Sequence, residues 1–163
     1  MSGDENLGRP TAEKPVDTGI VSLDEEECRS ILRQQRLCVL SMTDGDAPYA
    51  VPLFYGFDGE SIWLGIAEGR KTQLLDRNSR LCLSVIDLGP GDAWRSVLVT
   101  GRATWVTDPE QRSRGIQVLM QHNRRPDRPV TQSTQPRRRH SGGRILLVTE
   151  AVITGRAKRQ VLE

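Results

Sequence analysis

The chain has 163 residues and a formal net charge of +2 at pH 7, and its 36% hydrophobic content predicts one globular domain. No apolar run approaches the ~20 residues that a membrane span needs, and the polar N-terminus does not resemble a secretion signal. Three cysteines without Cys-x-x-Cys spacing and only two histidines argue against a disulfide framework and a metal site. We therefore expect a reduced, cytoplasmic protein that does not contact a membrane.

Charge is distributed unevenly along the chain. Residues 1–19 are polar, acidic and rich in Gly and Pro, which predicts a flexible N-terminal tail before a single domain over 20–163. Residues 123–143 form a loop rich in arginine and proline. This loop could bind phosphates or nucleic acid, but it contains no aromatic residue on which bases could stack. We favour a loop that faces solvent or a partner, and nucleic-acid binding is not favoured.

The first element of the domain is predicted to be a helix over residues 23–36. The segment Ser22-Leu23-Asp24-Glu25 matches a capping box, in which Ser22 would cap the helix and Glu25 would reach back to it. Ile31 and Leu32 would then share an apolar face with Leu23.

Two hairpins follow this helix. Strands are predicted over residues 37–42, 47–57 and 61–67, because Asp44-Gly45 and Asp58-Gly59 separate hydrophobic runs and Asp-Gly is a strong hairpin signal. Pro52 interrupts the second strand, and proline cannot donate to a strand ladder, so we expect an edge or a bulge there. Strand pairing would have a local gap at Pro52, and something other than a strand could lie there.

The remaining elements continue the regular spacing of short strands with helices between them. Six mostly antiparallel strands with short helices between them predict a mainly β fold, a small barrel with peripheral helices. Besides the three strands above, these elements are a helix over 70–77, strands over 80–87 and 94–107 with a bulge at Gly101, a helix capped by Asp108 and ending near His122, and a strand over 144–154.

One segment has the chemistry of a phosphate site. Residues 67–71, Ala-Glu-Gly-Arg-Lys, lie at a strand end and a helix start, where free backbone amides would lie beside the cations of Arg70 and Lys71. The alternative is an ordinary solvated helix start. The sequence contains neither a phosphate-binding P-loop nor a Gly-x-Ser-x-Gly elbow, so residue patterns by themselves choose no reaction.

Six short motifs, in order, resemble the pyridoxamine 5′-phosphate oxidase-like family of FMN-binding split barrels, and within it the nitroimidazole-resistance (Nim-type) flavoproteins most of all. The motifs are Pro48-Tyr-Ala-Val-Pro-Leu-Phe-Tyr-Gly-Phe, Asp58-Gly59, Ile62-Trp-Leu-Gly, Glu68-Gly-Arg-Lys, Asn78-Ser-Arg-Leu-Cys-Leu-Ser-Val and Trp94-Arg-Ser-Val-Leu-Val-Thr-Gly-Arg-Ala.

The resemblance implies a six-stranded antiparallel split barrel that binds FMN between the two subunits of a homodimer. It assigns the cofactor to one stretch of the second strand, to two residues of the third, to the basic pair at the helix start and to one residue of the fifth strand. These residues are Ala50, Val51, Pro52, Leu53, Leu64, Gly65, Arg70, Lys71 and Ser96.

The resemblance further implies an FMN-dependent oxidoreductase that acts on a small-molecule substrate, with NADH or NADPH as the candidate electron donor. Tyr49 and Phe54 stand where pyridoxamine phosphate oxidase itself carries basic residues, which predicts a substrate other than vitamin B6. No side chain is singled out as the catalytic acid or base. Two alternatives stay open: a non-catalytic flavin-binding or redox-sensing module, and a protein that binds an acidic partner or nucleic acid through the arginine-rich loop.

Overall fold

The computed structural model describes residues 19–124 and 143–158, so nearly all of the predicted tail (1–19) and loop (123–143) lies outside the described residues. The described part contains seven strands and three helices. In chain order they are β1 (Ile20–Leu23), α1 (Glu25–Gln34), β2 (Leu37–Asp44), β3 (Ala47–Phe57), β4 (Ile62–Ile66), α2 (Arg70–Arg77), β5 (Arg80–Leu88), β6 (Trp94–Trp105), α3 (Pro109–His122) and β7 (Arg144–Lys158).

Six of the strands close into an antiparallel ring. Their order is β7-β4-β3-β2-β5-β6, and β6 pairs back onto β7, while the short β1 adds to the edge of β7. Inward-facing side chains of all six fill one hydrophobic core. The predicted mainly β barrel with peripheral helices is thereby confirmed, and each of the six predicted strands is present.

The start of the first helix differs from the prediction. Asp24 caps α1 by accepting a hydrogen bond from the Glu27 amide at 2.8 Å, and the Glu27 side chain accepts from the Asp24 amide at 2.9 Å. Ser22, the predicted cap, instead lies in β1 opposite Arg156. The sequence offers two overlapping capping boxes, and pairing of β1 with β7 extends residues 20–23 and leaves only the second one available.

Local turn and cap chemistry places the other elements as predicted. Both Asp-Gly turns join their strands, and Asp108 caps α3 by accepting a hydrogen bond from the Gln111 amide at 2.7 Å. The bulge at Gly101 is also present: the β6–β7 register shifts between Thr100 and Arg102. A Cβ at Gly101 would lie 2.7 Å from the carbonyl oxygen of Thr149, so only glycine fits this close approach of the two backbones.

The helices cover the ends and one outer face of the ring. Cys28, Ile31 and Leu32 of α1 and Leu74 and Leu75 of α2 are buried in the barrel core. The third helix, α3, packs outside the ring on β3 and β4. None of the helices in the described segments has the length and apolar character that crossing a membrane requires.

Candidate functional site

The N-terminal part of β3 is an open strand edge. Residues Ala47 to Phe54 pair with β2, whereas pairing with β4 involves only Tyr55, Gly56 and Phe57. Within the described residues no strand covers the other edge of residues 47–54. Pro52 therefore lies on an edge, as its missing N–H predicted.

Backbone groups of the predicted site residues point into this gap. In an antiparallel pair, alternate residues direct their N–H and C=O groups to opposite edges. The Tyr55 amide donates to the Arg36 carbonyl on the β2 side at 3.1 Å. By alternation, the N–H and C=O of Ala50 and the C=O of Pro52 point away from β2, where they can bond a ligand. Val51 and Leu53 are half-buried and pack against the core, so they hold this stretch in place.

The two residues predicted on the third strand lie beside the same gap in different ways. Leu64 pairs with Tyr55 at the last β3–β4 position, and its side chain is fully buried in the core. Gly65 follows, is exposed, and pairs with Ile145 on β7. The strands separate at this point. Because the Tyr55 amide bonds toward β2, the same alternation directs the N–H and C=O of Leu64 toward β7 and those of Gly65 toward the gap, so of these two residues only Gly65 can offer backbone groups to a ligand.

The basic pair at the start of α2 is brought to the open edge. The Arg70 guanidinium lies 4.6 Å from the ring centroid of Tyr49, the residue directly before Ala50, and Arg70 is 60% exposed. Its Nη2 is 3.0 Å from Asp44 Oδ2. Lys71 is half-buried and forms no ion pair with any other described residue. The Arg70 guanidinium thus lies beside the strand edge at a helix start, and Lys71 is the next residue of that helix.

The neighbouring carboxylate of Glu68 is engaged elsewhere. Its Oε2 accepts a hydrogen bond from the Thr72 hydroxyl at 3.0 Å, and its Oε1 lies 3.9 Å from Nε of Arg144. Arg144 in turn contacts Asp76 at 2.9 Å and stacks on the Trp105 ring. These contacts draw Glu68 toward β7, so its charge is balanced there.

Ser96 is not brought to this site within one chain. It lies on β6 between Ile86 of β5 and Arg156 of β7. Strands β2 and β5 separate β6 from β3, so Ser96 lies three strands away from β3 around the ring. The single subunit therefore contains eight of the nine predicted site residues near the gap and the ninth across the sheet.

An apolar outer face links these two places. The inner side chains of β2 and β5 face the core, and their outer side chains are also apolar at several positions. The sequence signal was present in Leu37-Cys-Val-Leu, a continuous apolar run that is typical of a strand covered on both faces. Four large side chains on this face are between 43% and 59% exposed: Leu37, Phe54, Ile86 and Leu98.

The cysteines do not supply a nucleophile. Burial raises the pKa of the Cys38 thiol to about 12, and burial is also the main cause that raises the pKa of Cys28 and of Cys82. All three thiols therefore stay protonated at neutral pH, and the thiolate is the reactive form.

Comparison with known proteins places this geometry in a family. The family model described as pyridoxamine 5′-phosphate oxidase matches residues 24–157. A curated protein of Rhizobium meliloti (strain 1021), itself uncharacterised, is 29% identical over 80 residues, which are 49% of this chain and 53% of that protein. The match thus spans about half the length of that relative.

Solved structures share the fold. A FAD-binding protein from Mesorhizobium loti superposes with a TM-score of 0.66 at 24% identity, covering 86% of this chain and 98% of that one. The FAD-binding protein from Mycobacterium smegmatis gives 0.65 at 19% identity, with 86% and 100% covered. A candidate 5-nitroimidazole antibiotic resistance protein from Bacteroides thetaiotaomicron gives 0.65 at 21% identity, with 85% and 87% covered. At these identities the likeness shows the fold alone.

Proposed function

This chain belongs to the pyridoxamine 5′-phosphate oxidase family, and from that premise we propose that it is an FMN-dependent oxidoreductase that works as a homodimer on a small-molecule substrate. The observation that carries the proposal is the open edge of β3 beside the cations of α2. Two of the structurally similar proteins are described as FAD-binding, which supports a flavin of some kind.

The open edge has the chemistry that a flavin needs. The Ala50 amide can donate to a ring carbonyl, and the Ala50 and Pro52 carbonyls can accept from a ring N–H. Half-buried Val51 and Leu53 pack against the core and hold this stretch in place, and the backbone of Gly65 faces the same gap. When bound, the flavin would supply the hydride or electron chemistry, while the protein binds it, orients it and excludes water.

The phosphate end favours FMN. The terminal phosphate of FMN is a dianion that can accept hydrogen bonds from both Arg70 and Lys71. The diphosphate of FAD instead carries its charge between two ester bonds and extends into an adenosine. We therefore assign Arg70 and Lys71 to the phosphate of FMN.

The outer apolar face and the position of Ser96 support the proposed homodimer. A second subunit packed on Leu37, Phe54, Ile86 and Leu98 would cover apolar surface that is exposed in one chain. It would also bring its own β6 toward the open edge, so that Ser96 from the partner reaches the flavin. An obligate pair of this kind should bury about 2,000 Å² or more in total. Light scattering at micromolar concentration should give the mass of a dimer, and a monomer with bound flavin would contradict this assembly.

The cofactor is tested by what the purified protein carries. We expect a flavin absorbance band and release of FMN after heat denaturation, identified by chromatography against FMN, FAD and riboflavin. Release of FAD, F420, haem or nothing would overturn the assignment. Anaerobic bleaching of the flavin by NADH or NADPH, followed by turnover with an added electron acceptor, would then support the enzyme. A flavin that neither donor reduces would favour a non-catalytic module.

A further inference from the structure

The carboxylate of Asp44 is bound to the same guanidinium that we assign to the phosphate. Asp44 Oδ2 lies 3.0 Å from Arg70 Nη2, and its Oδ1 lies 3.7 Å from Arg77 Nη1. The Asp44 side chain is 30% exposed, so solvent and ligands can reach this pair. One acid on the β2–β3 hairpin is therefore shared by two arginines of α2.

The hairpin end holds Arg70 by two contacts at once. Asp44 pairs with Ala47 across the turn, and Tyr49, whose ring lies 4.6 Å from the guanidinium, pairs with Met42 two positions further along. Ring and carboxylate together fix the guanidinium beside the open edge of β3. A phosphate that reaches Arg70 at this place must share its donors with the Asp44 carboxylate or displace it.

We propose that Asp44 is a specificity-determining residue that competes with the phosphate of the flavin for Arg70 and so limits the preference of the site for FMN over riboflavin. This inference rests on the proposed function. A binding site that is partly occupied by an internal ligand shows a weaker apparent affinity in proportion to the occupied fraction. An exposed ion pair changes an equilibrium constant only a few-fold, and the negative charge of Asp44 also repels the phosphate dianion.

The experiment compares Asp44→Asn with a matched control, Asp46→Asn. Both substitutions remove one negative charge from the same turn, but Asp46 forms no ion pair with a described residue. Each protein, stripped of cofactor, is titrated with FMN and with riboflavin by fluorescence quenching at low ionic strength. For Asp44→Asn we expect FMN to bind about three- to tenfold more tightly and riboflavin to bind as in the unchanged protein. Asp46→Asn should alter the FMN affinity less than Asp44→Asn does.

Three outcomes would overturn the inference while leaving the proposed function intact. FMN affinity could stay the same or fall in Asp44→Asn with riboflavin unchanged, which would make Asp44 irrelevant or a support for Arg70. Both flavins could weaken together, which would make Asp44 a structural residue. Both Asp→Asn variants could strengthen FMN equally, which would reduce the effect to overall charge. If the unchanged protein binds neither flavin, the proposed function fails and this inference fails with it.

Discussion

The two parts of β3 are one continuous strand, yet they have opposite surroundings. Residues 55–57 pair with β4, the Tyr55 amide donates to the Arg36 carbonyl on the other edge at 3.1 Å, and Tyr55 is fully buried with its hydroxyl donating to the Leu32 carbonyl at 2.8 Å. Residues 47–54 pair only with β2, and Phe54, one residue before Tyr55, is 59% exposed. The change occurs where β4 ends its pairing with β3.

This difference separates stability from binding along a single strand. The closed part, residues 55–57, is buried, pairs with β4 and packs against α1 and α3, so changes there should act on the free energy of unfolding. The open part, residues 47–54, keeps backbone groups and cations available on its free edge, so changes there should act on ligand affinity. Four predictions test this division, in order of decreasing effect.

Replacing Arg70 and Lys71 together by alanine should lower FMN affinity about a hundredfold or more while leaving riboflavin affinity nearly unchanged. Each charge-assisted hydrogen bond to the phosphate contributes roughly 1.5–3 kcal/mol, and riboflavin has no phosphate. Fluorescence titration of both flavins measures the effect. Arg80→Ala, which removes a cation from the exposed start of β5, is the control and should leave both affinities unchanged. Equal losses for the two flavins would mean that the pair shapes the fold.

In the closed part, Gly56→Ala should lower the free energy of unfolding by about 1–3 kcal/mol, because it forces atoms into a packed contact. A Cβ at Gly56 would lie 3.0 Å from the Leu119 amide nitrogen and 3.1 Å from its Cα, and the helix backbone there cannot move easily. Urea denaturation measures the change. Ala50→Ser, at an exposed position of the open part, should stay within about 0.5 kcal/mol of the unchanged protein. Comparable losses of unfolding free energy in Gly56→Ala and Ala50→Ser would contradict the difference between the two parts of β3.

Tyr55→Phe should destabilise the protein by about 1–2 kcal/mol, because it leaves the buried Leu32 carbonyl without its hydrogen-bond donor. The matched change Tyr49→Phe removes a hydroxyl from the half-buried ring under Arg70 and should have a smaller effect on unfolding. The denaturant midpoints of the two variants show which substitution destabilises the protein more. A larger loss of stability in Tyr49→Phe than in Tyr55→Phe would contradict the assignment of stability to residues 55–57 and of binding to residues 47–54.

The smallest effect is expected from pH, through His122 at the end of α3. Its Nε2 lies 2.7 Å from the Gln35 carbonyl and its ring packs against Tyr55. Burial, assisted by the charge of Arg36, lowers the pKa of His122 below its ordinary 6.5, although the Gln35 contact opposes this. The unfolded chain therefore takes up a proton first as pH falls. The stabilisation is complete above pH 6.5 and is lost as pH falls from there through the lowered folded pKa.

Urea denaturation at several pH values between 5 and 8 measures this slope. In His122→Gln the part of the slope that begins near pH 6.5 should disappear, and the flavin affinities should not change with it. An unchanged slope in that variant would assign the pH dependence to other groups.

The sequence predicted those features whose cause is local. The Asp-Gly turns, the Asp108 cap and the helix at Arg70 depend on residues a few positions apart, and all were found. The N-terminal boundary of α1 was wrong, since the choice between Ser22 and Asp24 as the cap depends on β1 pairing with β7 far along the chain. No pattern in the residues around Ser22 predicts that β1 pairs with β7.

The candidate site likewise has features that the sequence predicted and features that it did not. The edge at Pro52 was predicted because proline cannot donate to a strand ladder, and the cationic site at Arg70 and Lys71 was predicted because free amides and basic side chains coincide at a helix start. The contact of Asp44 with Arg70 and the apolar outer face were not predicted. The Asp44 contact depends on which elements lie side by side, which residue types do not reveal, whereas the apolar run at residues 37–40 was a local signal of the outer face that the prediction did not use. The roles of the nine site residues stay a prediction until the titrations above are made.

The strand β7 also determines when the ring can form during folding. It pairs with β6 along one edge, and with β4 and β1 along the other, so Trp63 must find Leu147 and Leu23 must find Gly155. Pairings between such distant residues lose much chain entropy before they gain contacts, which makes folding slow, on the order of milliseconds to seconds. Because β7 is the last strand of the ring to be synthesised, the sheet formed by the earlier strands has two unpaired edges, on β4 and on β6, until β7 is added. A chaperone that binds exposed strands would find its target in that interval.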